Sequence, residues 1–154
     1  MKIADVLLVD DEQPFVETMI KRLARRGMDM KDALSGQAAL NMLKEHPNIE
    51  VVILDVKMPG MDGITTLKEI KRQFPLVEVI MLTGHATVES AIDGLKSGAT
   101  DYLMKPTGID ELIEKAREAF RKRLLLEEKI LMAQSRKYMK SPREILKQAE
   151  KPER

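Results

Sequence analysis

Cysteine is missing from all 154 positions, which excludes disulfides and any thiolate metal site. That absence fits a reducing compartment, and the expected location is the cytoplasm. No apolar run approaches the roughly 20 residues that a membrane-spanning helix needs, and Met1-Lys2-Ile3-Ala4-Asp5 reaches an acidic residue too early for a signal peptide. Aromatic residues are scarce at 3%, with no tryptophan. Net charge is also nearly absent: a formal +1 creates no overall field for nucleic acid or a membrane surface. The balance is uneven along the chain. From Arg136 onward there are seven basic residues against three acidic ones, so this tail carries +4 and the residues before it −3.

What is present suits one soluble domain with a modest extension: 44% hydrophobic and 33% charged residues in a chain too short for two comfortable domains. Eleven methionines against three phenylalanines suggest an adaptable core. Short apolar runs alternate five times with segments of helical period. Val6-Leu7-Leu8-Val9 and Val51-Val52-Ile53-Leu54 are apolar without alternation, as strands buried on both faces are. A weaker strand is expected at about 28–34, another at 77–82, and a short one at Tyr102-Leu103-Met104. Between them, Phe15, Val16, Met19, Ile20 and Leu23 mark a first helix ending near Gly27. Ala38 to Leu43 gives a second, before Pro47. Ile64, Leu67 and Ile70 line a third, and Val88, Ala91, Ile92 and Leu95 a fourth that Gly98 closes. From Asp110 a long helix is expected to run to about Lys140, packing Ile109, Ile113, Ala116 and Phe120 on the sheet.

Strict alternation of strand and helix implies a parallel sheet covered on both faces. Ligands of such sheets bind beyond the carboxyl ends of the strands. Those ends carry Asp10-Asp11-Glu12, Asp55, Thr83-Gly84 and Lys105-Pro106. Three carboxylates (Asp10, Asp11, Asp55) at one rim repel each other unless a cation relieves them. All-oxygen donors without His or Cys favour a hard ion, and a few carboxylates plus water suit Mg²⁺ better than Ca²⁺. Lys105 adds a compact positive charge, and Thr83 a hydroxyl able to donate to a phosphoryl oxygen. The set suits an aspartate nucleophile attacking phosphorus.

The same residues carry a resemblance. The stretches 6–12, 54–63, 82–86 and 98–106, in that order, resemble the receiver domain of two-component response regulators over residues 3 to about 120, and nitrogen-regulation-type receivers in particular. The resemblance implies a flavodoxin-like α/β fold: a doubly wound, five-stranded parallel sheet of order 2-1-3-4-5, helices on both faces and an extended C-terminal helix. It implies Asp55 as phosphoacceptor from a histidine kinase or phosphotransfer protein. Asp11 would bind Mg²⁺ directly and Asp10 largely through water, with Asp55 and the backbone carbonyl of Lys57 completing the protein's share. Thr83 would be the switch hydroxyl, Tyr102 the coupled aromatic that changes rotamer, and Lys105 the phosphoryl-binding cation before a cis Pro106. The protein would be a signalling switch and not an enzyme, beyond self-phosphorylation and slow self-dephosphorylation.

Plainer readings stand beside these. Asp10-Asp11-Glu12 could be a solvated loop, with Asp11 capping the helix near Pro14, and Thr83 could be a helix N-cap. Tyr102 could be a half-buried strand residue. His85 reads as a rim residue and His46 as a helix end. Met58-Pro59-Gly60 and Gly63 read as loop structure, with glycine accepting a positive backbone angle. A Mg²⁺-dependent phosphohydrolase would need a general acid two residues after its nucleophile, where Lys57 stands. A pure interaction module would not need the acidic, Thr and Lys positions.

Residues 1–121 form the expected receiver and 122–154 a helical extension with a basic tail. Leu124-Leu125-Leu126, Ile130, Leu131 and Met132 have no core left to cover, and Leu112, Ala119, Leu126 and Ala133 with Ala116 and Ile130 form an imperfect heptad interrupted by Arg123, the pattern of a helix seeking a partner, a homodimer among the options. Ser141-Pro142-Arg143-Glu144 reads as a capping box opening a short helix. Only 34 residues follow Phe120, too few for a winged helix or ATPase module, so either a downstream protein or an output domain beyond this chain is implied. With Tyr138 the one aromatic of the tail, nucleic-acid binding has little support.

Overall fold

A computed structural model describes residues 3–138; the capping box at Ser141 and the end of the last helix at Lys140 lie outside the described residues. The elements are β1 (Ala4–Val9), α1 (Gln13–Arg25), β2 (Met28–Ala33), α2 (Gly36–Glu45), β3 (Val51–Leu54), α3 (Gly63–Gln73), β4 (Glu78–Thr83), α4 (Val88–Lys96), β5 (Asp101–Met104) and α5 (Ile109–Tyr138). All strands are parallel, in the order β2-β1-β3-β4-β5. This is the doubly wound α/β fold that the alternating pattern implies. No helix among the described residues is long and apolar enough to cross a membrane.

Side chains of a strand alternate between the two sheet faces, and here both faces are covered. Val6 and Leu8 of β1 join Ile53, Ile80 and Leu82 in one core, closed by Val16, Met19 and Leu23 of α1 and by Leu112, Ile113, Ala116 and Ala119 of α5. Leu7 and Val9 point the other way, with Val52, Leu54, Val79 and Met81, under Leu40, Leu43, Leu67 and Ile70 of α2 and α3. This double burial is why the central runs are apolar without alternation. Edge strand β2 keeps only its two end residues buried, which explains its weak signal.

Local chemistry ends the helices where expected. Gly27 and Gly98 take φ of 94° and 106° just past α1 and α4, a region glycine enters without a Cβ penalty. His46 is the C-cap of α2. Two details differ from the periodicity reading. Leu112 and Ala119 are fully buried in α5, while Ile109 and Phe120 only flank the core. In α4, the sole buried residue is Gly94, and Val88 (79%), Ile92 (49%) and Leu95 (50%) are exposed.

The chain divides into two units, one ending at Arg123 and one beginning at Leu124. In the first, Arg123 donates to the carbonyl of Ile49 at 3.1 Å, and Lys122 lies 3.6 Å from the buried carboxylate of Glu78, which also accepts the hydroxyl of Thr100. In the second, Leu125, Leu131 and Met132 are more than half exposed on the helix.

Candidate functional site

Sheet register builds the site. Val9 pairs with Leu54, so the residues that follow them, Asp10 and Asp55, emerge side by side; the Asp55 N–H donates to the Val9 carbonyl at 2.9 Å. Thr83 pairs with Met104, and the next residue, Lys105, donates its N–H to the Thr83 carbonyl at 2.8 Å. Four strand ends therefore deliver their polar residues to one rim.

One carboxylate oxygen from each of Asp10, Asp11 and Asp55 lies within 4.8 Å of the other two. Asp10 and Asp55 are 1% and 3% exposed, and Asp11 faces solvent. Lys105 Nζ sits 2.6 Å from Asp10 Oδ2 and 4.0 Å from Glu12 Oε1. The other Asp10 oxygen accepts the Glu12 N–H at 2.9 Å, which fixes the acidic turn. Burial pushes the Asp55 carboxyl above its ordinary value of 3.8. Repulsion from Asp10 adds to this, while the Thr83 hydroxyl, the Lys105 charge and the Val56 N–H pull the other way. The Val56 bond to Asp55 Oδ1 is 2.9 Å. The Lys105–Pro106 peptide is cis, as the resemblance implies.

The plainer readings of two residues fall away. The N-cap of α1 is Glu12, without a side-chain cap bond, so Asp11 is not a cap. The N-cap of α4 is Thr87, which exchanges capping-box hydrogen bonds with Ser90. Thr83 is fully buried instead, its hydroxyl favouring the charged Asp55 carboxylate and accepting the His85 N–H at 3.0 Å. His85 is exposed and lines an open depression with Asp11, Glu12, Lys57, Met58 and Pro59, which makes it a rim residue.

The loop from β3 to α3 needs its glycines for two different reasons. Gly60 has φ of +74°. Gly63 has no such angle, which corrects the sequence reading. It is glycine because a Cβ there would lie 2.0 Å from the Asp55 carbonyl oxygen and 2.6 Å from Val56 Cα. A Gly63 N–H bond to the Val56 carbonyl at 2.7 Å closes the loop beneath the acidic cluster.

Charge decides what the pocket suits. Three carboxylates and one ammonium leave −2 at the rim, with oxygen as the only donor type. A hard divalent ion such as Mg²⁺ fits that donor set and charge.

A family model for the response regulator receiver domain matches residues 6–117. The chain belongs to the receiver family. Among its relatives, an NtrX-like response regulator of Rickettsia bellii is 40% identical over 115 residues, 73% of this chain and 24% of that protein. The transcriptional regulatory protein ZraR of Escherichia coli is 41% identical over 115 residues, covering 73% of this chain and 26% of its own length. The chain thus spans about a quarter of the length of these curated relatives. Among solved structures, a receiver domain protein of Clostridium thermocellum superposes with a TM-score of 0.76 at 35% identity, over 80% of this chain and 98% of its own. NtrX of Brucella abortus in complex with ADP gives 0.77 at 33%, over 83% of this chain and 29% of its own.

The receiver brings five of its expected site residues together: Asp10, Asp11, Asp55, Thr83 and Lys105. The Lys57 side chain stands exposed at the rim. Tyr102 lies apart, half-buried, its hydroxyl 2.7 Å from Ser90 Oγ in the first turn of α4. Two partners were not foreseen. Ser90 is one. The other is Phe15, whose ring centroid is 3.9 Å from Lys105 Nζ. Helical periodicity assigns Phe15 to the core, and nothing in sequence spacing ties it to a residue 90 positions away.

Proposed function

We propose that this receiver is a phosphorylation-driven switch of a two-component system, in which Asp55 accepts a phosphoryl group from a histidine kinase or phosphotransfer protein in the cytoplasm. The reading rests on one observation: a buried carboxylate, a buried hydroxyl and an amine meet two further acids at the rim of a parallel sheet. In the transfer, an Asp55 oxygen forms a bond to phosphorus as the donor's bond to phosphorus breaks, and the leaving histidine nitrogen keeps the electron pair. Mg²⁺, held by Asp11, Asp55 and the Lys57 carbonyl and by Asp10 largely through water, would offset the negative charge that accumulates. Lys105 exchanges its Asp10 contact for a phosphoryl oxygen. The raised affinity of Asp55 for a proton reflects burial, and a carboxylate so destabilised is a better nucleophile than a solvated one.

Thr83 and Tyr102 carry the signal outward. Thr83, whose hydroxyl already favours the charged Asp55 carboxylate, follows the phosphoryl group. Tyr102 leaves Ser90, and the exposed apolar residues of α4 with Met104 (61% exposed) form the surface whose partner preference changes. The output is a downstream protein target or an output domain, and the apolar residues 124–132 are a homodimer surface. Turnover is limited to self-phosphorylation and slow self-dephosphorylation.

Incubation with Mg²⁺ and a small acyl phosphate should add one phosphoryl mass to the chain, and Asp55→Asn should prevent it. An unmodified wild-type protein under those conditions refutes the proposal.

A further inference from the structure

We propose that Phe15 is a positioning residue for Lys105, its ring face holding the ammonium at the rim while leaving it free to change acceptor. The inference rests on the switch reading above, in which Lys105 must move from Asp10 to a phosphoryl oxygen. Around the ammonium lie Asp10 Oδ2 at 2.6 Å, Glu12 Oε1 at 4.0 Å and the Phe15 ring centroid at 3.9 Å. The two carboxylates differ in kind. Asp10 is 1% exposed and its other oxygen is tied to the Glu12 N–H, whereas the Glu12 side chain is 64% exposed and screened by water.

A carboxylate holds an ammonium by a directional hydrogen bond, and each such bond must break when the amine moves. An aromatic face attracts the cation through its quadrupole and needs no particular N–H direction. With one side of the ammonium against the ring, its donors stay available to whichever acceptor the rim presents. The ring also shields the Lys105 stem, since Phe15 lines a groove with Met19, Leu82, Lys105 and Pro106 and leaves the lysine side chain only 16% exposed.

Phe15 is well placed to hold a fixed orientation. It lies in the first turn of α1, directly after Pro14, and is half-buried against the core that contains Val16, Met19 and Leu82. Leucine or methionine could fill much of that volume but would offer no π-face. This separates an electrostatic role from a packing one.

The test compares the full chain as wild type, Phe15→Leu, Phe15→Met and Phe15→Tyr. Initial phosphorylation rates are measured over a range of acyl phosphate concentrations with saturating Mg²⁺, and Mg²⁺ affinity is measured separately. NMR of the Lys105 side chain reports the ring-current shift of its terminal protons. Phe15→Leu and Phe15→Met should lower the maximal rate roughly two- to tenfold and abolish the ring-current shift, with Mg²⁺ affinity unchanged. Phe15→Tyr should restore most of the rate and keep the shift. Equal rates in the wild type and the two aliphatic variants would overturn the inference, as would a Tyr variant as slow as Leu, which is the mark of packing alone. A wild-type protein that shows the ring-current shift yet takes no phosphoryl group would instead refute the switch reading, and the role of Phe15 in it falls as well.

Discussion

Replacing Asp55 by Asn should make the Mg²⁺-free protein more stable at pH 7. The Asp10 and Asp55 carboxylates are 1% and 3% exposed and approach within 4.8 Å. Two like charges at that separation cost about 3.5 kcal/mol at an effective dielectric constant of about 20. Solvent-exposed Asp11 adds about 1 kcal/mol, as in water. Against this, the variant gives up the attraction to Lys105, weakens the bond from the Val56 N–H, which an amide oxygen still accepts without charge assistance, and loses part of the favourable effect of the Thr83 hydroxyl. These losses together return about 2–3 kcal/mol. A net gain of about 1.5–2.5 kcal/mol remains, or roughly 3–10 °C in Tm for a chain of this size.

The pH dependence follows from the direction of the Asp55 shift. Its carboxyl is raised above 3.8 in the fold, so the folded state binds the proton more tightly. Stability conferred by the protonated form is present near pH 3.8 and is lost as pH rises through the folded value. The advantage of Asn is therefore larger at pH 7 than at pH 4 and shrinks as pH falls toward 3.8. Saturating Mg²⁺ should narrow or reverse the gap, because it binds the wild-type carboxylates more tightly than the variant. Urea unfolding in EDTA at pH 7 and pH 4, repeated with MgCl₂, measures all three effects. An Asn variant less stable than the wild type in EDTA at pH 7 would show that Lys105 and Thr83 outweigh burial and repulsion.

The two loop glycines should respond differently to alanine. Gly63→Ala forces a Cβ to 2.0 Å from the Asp55 carbonyl, at a cost of about 3 kcal/mol. A backbone shift of about 1 Å under the nucleophile should slow acyl phosphate uptake about a hundredfold; wild-type stability and reactivity would refute the close approach. Gly60→Ala meets no atom within 4 Å and bears only the strain of φ +74°, so about 1 kcal/mol is expected in the same unfolding assay. Ser90→Ala removes both the reciprocal half of the α4 capping box and the partner of Tyr102, and should cost about 1 kcal/mol. With no tryptophan in the chain, tyrosine fluorescence can follow the freed phenol, and an unchanged signal would argue against the Ser90 bond.

Fold and chemistry separate cleanly by what the linear chain can encode. The apolar runs at 6–9 and 51–54, each ending in aspartate, already implied a parallel sheet buried on both faces, because only such a strand has no polar face. From that topology alone, Asp10, Asp11, Asp55, Thr83 and Lys105 belonged at one rim. Other features were decided by tertiary structure. Periodicity marks α4 as amphipathic, yet Val88, Ile92 and Leu95 remain exposed, since helical spacing names a face without naming what packs on it. Gly63 looks like any turn glycine until the backbone of Asp55 is seen against it. The pairs Phe15–Lys105 and Ser90–Tyr102 join residues 90 and 12 positions apart. Such contacts depend on strand register and helix placement together, so a pattern within single elements determines the layers and their rim, while three-dimensional packing selects which side chains meet there.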